Sequence, residues 1–189
     1  MTSYYSQEEL AALGLKAYGQ DVRISRKASI YGAERISLGD HVRIDDFCLL
    51  SGDISLGSYI HLAAGVLLFA GDAGITIDDY STLSSRCAVY ALTDDYSGAA
   101  MTNPTVPEAY THVTQAPVSI GRHVIVGTGS TILPGVKLGE GCAVGAMSLL
   151  NRDAEPWGIY HGIPARRRGE RSRELLSLCE KLESERGEI

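Results

Sequence analysis

Residues 118–150 read VSIGRHVIVGTGSTILPGVKLGEGCAVGAMSLL. Every sixth position from Ile120 is aliphatic: Ile120, Val126, Ile132, Leu138, Val144 and Leu150. Upstream the same step runs Leu38, Ile44, Leu50, Leu56, Leu62 and Leu68. After a three-residue insertion it resumes at Ile77, Leu83 and Val89. Fifteen aliphatic residues therefore keep one six-residue step, an internal repeat of the kind that builds solenoids.

A second series runs two positions ahead: Ile24, Ile30, Ile36, Val42, Cys48, Ile54, Ile60 and Val66, then Val118, Val124, Ser130, Val136, Cys142 and Ser148. Two inward positions with one outward position between them is strand alternation. Glycine follows the step at Gly39, Gly57, Gly121, Gly127, Gly139 and Gly145, where a tight corner is expected to need a residue without a Cβ. Each hexad is then a short strand and a turn, and three close a triangular coil. Stacked coils pair strand on strand at about 4.8 Å and bury one aliphatic column. A β-sandwich needs turns every 8 to 12 residues and does not account for the constant phase.

The chain has 189 residues, 44% hydrophobic and 21% charged, with a formal charge of −6. This suits one domain with short appendages. The acidic balance argues against nucleic-acid partners, and no apolar run is long enough for membrane insertion. The first residues lack the basic start and apolar middle of a secretory leader, so a cytoplasmic protein is expected. Cys48, Cys87, Cys142 and Cys179 show no metal-ligand spacing. The first three fall on core positions, where a thiol packs as a small apolar group.

The repeats resemble the hexapeptide-repeat acyltransferases, in the branch of galactoside, maltose and capsular or O-antigen sugar acetyltransferases. The similarity runs from about residue 20 to about 170. It implies an all-β solenoid, a left-handed parallel β-helix with short terminal helices. It also implies acetyl-coenzyme A as donor, a sugar or nucleotide-sugar acceptor, a homotrimer and no metal. The domain organisation expected is a helical cap over 1–20, with a helix over 6–17 opened by Ser6. The β-helix then spans 21–168, and 169–189 hold a C-terminal helix over 170–186 that packs back along the coils.

Residues 92–117 have no hexad phase. A loop this long in a compact domain is usually functional or disordered, and in the resembling family it overhangs the acceptor. Family positions of the coenzyme groove fall here on Ile125, Gly127, Thr128, Gly145, Ala146, Asn151 and Arg152. Gly162-Ile163-Pro164-Ala165-Arg166 is similar to the family's closing turn. Pro164 is expected to end the coil, with Arg166 and Arg167 offered to phosphates.

Acyl transfer to a hydroxyl needs a general base. The galactoside and maltose enzymes use a histidine where this chain has Asp94. Asp94 and Asp95 are the sharper candidates, and adjacent carboxylates in a cleft are expected to raise one another's pKa. An amine acceptor needs less help, so an amino sugar is favoured over a hydroxyl. His112 in the loop and His61 on an outward strand position remain alternatives for O-acetylation. His41 and His123 are expected on exposed corners. Tyr96, Tyr110 and Asp72 are further acceptor candidates, Asp72 by the resemblance. A non-catalytic scaffold remains the rival of another class.

Overall fold

The structure, a computed structural model, describes residues 3–187. Residues 1–2 of the expected cap and 188–189 of the expected C-terminal segment lie outside the described residues. The six-residue series becomes three ladders of parallel rungs. Leu38, Leu56, Ile77, Ile120 and Leu138 stand in register on the first face. Ile24, Ile44, Leu62, Leu83, Val126, Val144 and Tyr160 form the second. Ile30, Leu50, Leu68, Val89, Ile132 and Leu150 form the third. Nearly all are shielded from water in one continuous column. Strands of two or three residues gain little alone, so hydrophobic burial between coils carries the stability. Cys48, Cys87 and Cys142 are buried in that column. The inward Ser130 hydroxyl donates to Gly145 O at 3.0 Å and accepts from Ser148 N at 3.2 Å, which meets the need of a buried polar group.

Two phase expectations are corrected. Ile24 and Ile30 pair with Ile44 and Leu50, so they belong to the first series. The turn Ala33–Arg35 adds two residues to that coil. The glycines after the step are not in the left-handed region; a Cβ on Gly127 would lie 2.4 Å from Ala146 N, and one on Gly39 2.6 Å from Gly57 C. Close approach of the next coil, not corner conformation, demands glycine there.

Left-handed backbone falls three residues after the step instead. One corner stacks His41, Tyr59, Tyr80 and His123, all with φ between 55° and 62°. Their ring centroids are 4.7, 4.8 and 5.2 Å apart. Above them, Trp157 fills the space that a Cβ on Gly141 would need. His123 is therefore buried rather than exposed.

Helix α1 (Gln7–Ala12) is shorter than expected. Ser6 and Glu9 form a reciprocal capping box at its start, and Gly14, at φ 72°, turns the chain after it. Pro164 follows a cis peptide, but the chain does not then enter a helix. Residues Ala165–Glu170 return as an antiparallel strand on Gly158–Gly162, covering an edge that would otherwise expose backbone groups. Helix α2 (Leu175–Gly187) starts later than expected and does pack back on the coils. Cys179 is buried, the Tyr80 hydroxyl donates to Glu183 at 3.1 Å, and Arg122 pairs with Glu183.

Candidate active site

The loop over 92–117 is built, not slack. Leu92–Thr93 pairs antiparallel with Thr114–Gln115 at its base, and Ala116 N donates to Ala91 O at 2.9 Å. Inside it the Asn103 carboxamide accepts from Thr105 N at 3.0 Å, an Asx turn. Between this loop and the third face lies a cavity of about 1120 Å³. Its floor is Phe69 and Tyr90, stacked at 5.1 Å, followed by Thr131 and Leu133. Val106, Pro107 and Val113 of the loop face that floor. Asp94 and Glu108 are the acids on its wall, and no lysine, arginine or histidine is among the described lining residues.

Of the expected acceptor residues, Asp94 and Tyr96 line this cavity, while Asp95, Tyr110, His112, Asp72 and His61 do not. Asp95 turns into the loop and accepts from Ser97 N at 3.0 Å and Ala100 N at 3.1 Å. The Ser97 hydroxyl, then the Ser97 and Ala100 amides, hold its carboxyl at about 2. The expectation that the two aspartates raise one another fails for Asp95, because hydrogen bonds to its charged form outweigh the effect of burial. His61 Nε2 sits 2.8 Å from Asp45, and Asp72 takes Arg35 at 2.7 Å. His112 is exposed in the loop.

The expected donor residues fall in two groups. Gly127, Thr128, Gly145 and Ala146 follow the corner after the second face, with Ile125 exposed beside them. The Thr128 hydroxyl donates to Ser85 O at 2.6 Å. Glycine at 127 and 145 keeps that corner flat, since any Cβ would strike the next coil. Asn151, Arg152, Arg166 and Arg167 surround a hollow of about 160 Å³ with Tyr160. Arg167 is paired with Glu170. Flat corner and cationic hollow suit an extended pantetheine arm and its nucleotide phosphates respectively.

Phe69, Tyr90, Leu133, Pro134 and Glu108 line the cavity without having been singled out from sequence. Phe69, Tyr90 and Leu133 each follow a buried step residue and so point outward. Aromatics at that place on adjacent coils were the available sign.

A family model described as bacterial transferase hexapeptide (six repeats) matches residues 117–152. The dTDP-4-amino-4,6-dideoxy-D-glucose acyltransferase of Escherichia coli is 45% identical over 179 residues, spanning 93% of each chain. This chain belongs to the hexapeptide-repeat acyltransferases. The coil is the left-handed parallel β-helix of that family. Among solved hexapeptide-repeat enzymes, AntD, an N-acyltransferase from Bacillus cereus, was crystallised with dTDP and 3-hydroxybutyryl-CoA. It is 45% identical, with a TM-score of 0.97 over 99% of this chain and all of that one. A point variant of AntD, bound to dTDP-4-amino-4,6-dideoxyglucose and Coenzyme A, superposes with a TM-score of 0.96 at the same identity, over 98% of this chain and 99% of that one. Among the described residues, no group of three or more His, Cys, Asp or Glu is placed to hold a metal ion. No helix among them is long and apolar enough to cross a membrane.

Proposed function

We propose that this acyltransferase moves an acyl group from a coenzyme A thioester to the amine of an aminodeoxy sugar carried on a nucleotide. The carrying observation is the cavity under the 92–117 loop: an aromatic floor, the carboxylate of Asp94 on its wall, and no histidine among its described lining residues. A sugar ring lies well on aromatic and aliphatic surface. The missing imidazole matters less for an amine than for a hydroxyl. An amine with a pKa of about 8, like an α-amino group, is partly neutral at working pH.

In this reading the neutral amine attacks the thioester carbonyl carbon and a C–N bond forms. The carbonyl oxygen becomes an oxyanion that backbone N–H groups of the flat corner stabilise. The intermediate collapses, the C–S bond breaks and coenzyme A leaves as thiolate. The proton lost from nitrogen passes to Asp94 and returns to solvent or the thiolate. Asp94 also orients the amine before attack. Arg152 and Arg166 hold donor phosphates, and Tyr96 closes over the acceptor. The identity of both AntD and the Escherichia coli enzyme to this chain supports an amino sugar on dTDP and an acyl group from acetyl to hydroxybutyryl size. We read the enzyme as a cytoplasmic homotrimer serving surface-polysaccharide synthesis.

The test is release of coenzyme A thiol with acetyl-CoA or 3-hydroxybutyryl-CoA and dTDP-4-amino-4,6-dideoxyglucose, against the sugar bearing hydroxyl for amine. The amine is expected to react and the hydroxyl hardly at all. Asp94→Asn is expected to lower kcat/KM by about 10²- to 10⁴-fold. Equal rates on both acceptors, or an undiminished Asp94→Asn enzyme, would remove the mechanism.

A further inference from the structure

A nucleoside diphosphate brings a flat ring and at least two negative charges. The cavity under the loop offers the charges nothing, since no lysine or arginine is among its described lining residues. Their partner must stand beyond its edge. On the outward side of the third face the rungs run Tyr31, Ser51, Phe69, Tyr90 in register. Phe69 and Tyr90, one rung apart, stack at 5.1 Å with 12° between their planes. Tyr31 and Phe69 are two rungs apart, with only the small side chain of Ser51 between them. At about 4.8 Å per rung they are spaced roughly 10 Å apart. The aromatic ladder therefore lacks one ring, and a planar ligand placed there lies about as far from each neighbour as Phe69 lies from Tyr90.

A cation stands beside this gap. Arg35 follows Tyr31 through the short turn Ala33–Arg35. Its guanidinium donates to Gly71 O at 3.3 Å and pairs with Asp72 at 2.7 Å and Asp53 at 4.0 Å. Gly71 is two residues past Phe69 and pairs with Gly52, next to Ser51. The Arg35 and Asp72 side chains are 39% and 79% exposed. Exposed pairs of this kind hold each other only weakly, so a diphosphate, with bidentate geometry and more charge, displaces Asp72 readily.

We infer that the base of the nucleotide-linked acceptor inserts between Tyr31 and Phe69 over Ser51, with its phosphates on Arg35 and its sugar directed past Phe69 toward Asp94. This rests on the reading that the acceptor is a nucleotide sugar. It makes Tyr31, Ser51 and Arg35, none of them lining the cavity, determinants of acceptor affinity.

The experiment is calorimetric titration of the full chain with dTDP and, separately, with thymidine. Ser51→Leu fills the gap, and Tyr31→Ala removes one wall from an exposed position where the core is not touched. Each is expected to weaken dTDP by roughly tenfold to a hundredfold, with coenzyme A binding unchanged as the check on folding. Arg35→Met is expected to weaken dTDP at least tenfold and thymidine hardly at all. If dTDP binds the wild type and all three variants alike, the slot is wrong and the acyl-transfer reading stands. If the wild type ignores millimolar dTDP yet acylates a free amino sugar, both the slot and the nucleotide part of the acceptor fall.

Discussion

Asp94 and Asp95 are adjacent in the chain and differently occupied. Asp95 is bound into the loop by Ser97 and Ala100, which hold its carboxyl at about 2. Its folded pKa lies below the ordinary value of about 3.9. The order it lends the loop is thus fully present above about pH 4 and is lost as pH falls through about 2. Between pH 5 and 9 it does not titrate. Asp95→Ala is expected to raise the acceptor KM more than it lowers kcat, because the loop loosens while Asp94 remains. A collapse of kcat at unchanged KM would put Asp95 at the reaction itself. Gly127 makes a different residue-scale case, since its backbone is ordinary but a Cβ would sit 2.4 Å from Ala146 N. Gly127→Ala forces two coils apart and is expected to cost about 1–3 kcal/mol, read as a lower Tm. A melting curve matching the wild type would mean that the coils have slack.

Among the elements, the rungs were legible in the sequence because a two-residue strand buried on one side leaves its side chain no choice but small or aliphatic. The phase of Ile24 and Ile30 was not, since the turn Ala33–Arg35 adds two residues while Ile36 still falls six after Ile30. The hairpin Gly158–Glu170 was hidden for another reason. Its second strand, rich in arginine, is mostly exposed and carries no alternation. The candidate site divides in the same way. Asp94 could be placed by aligning the repeat, whereas the direction of Asp95 depends on loop amides that no period reveals. The elements also make the thiols inert. Burial raises the Cys48 and Cys87 thiols and pushes Cys142 to about 12. A thiol reagent at pH 8 is expected to leave all three unlabelled until the coil unfolds. Fast labelling of any of them in the native protein would show that the column opens locally.

At the scale of the molecule, stacked coils give each inner rung two backbone-paired neighbours, so a further chain meets the outward side chains of the faces and corners. The corner after the second face carries Phe47 and Met147, 66% and 64% exposed, both in the left-handed region three residues after the step. Ile125 on the same face is also exposed. Large apolar side chains exposed on one edge of the prism mark a contact surface, and a closed ring of identical chains covers such an edge without leaving an open end. The mass in solution is therefore expected to be about three times the 20.2 kDa of one chain. Association that stabilises the fold also makes Tm rise with protein concentration. Phe47→Asp places a charge on that edge without entering the core, so it is expected to lower the solution mass and flatten the concentration dependence while the β signal in circular dichroism persists. A wild-type mass of one chain at micromolar concentration, or a Phe47→Asp protein of unchanged mass, would place the contact elsewhere or remove it.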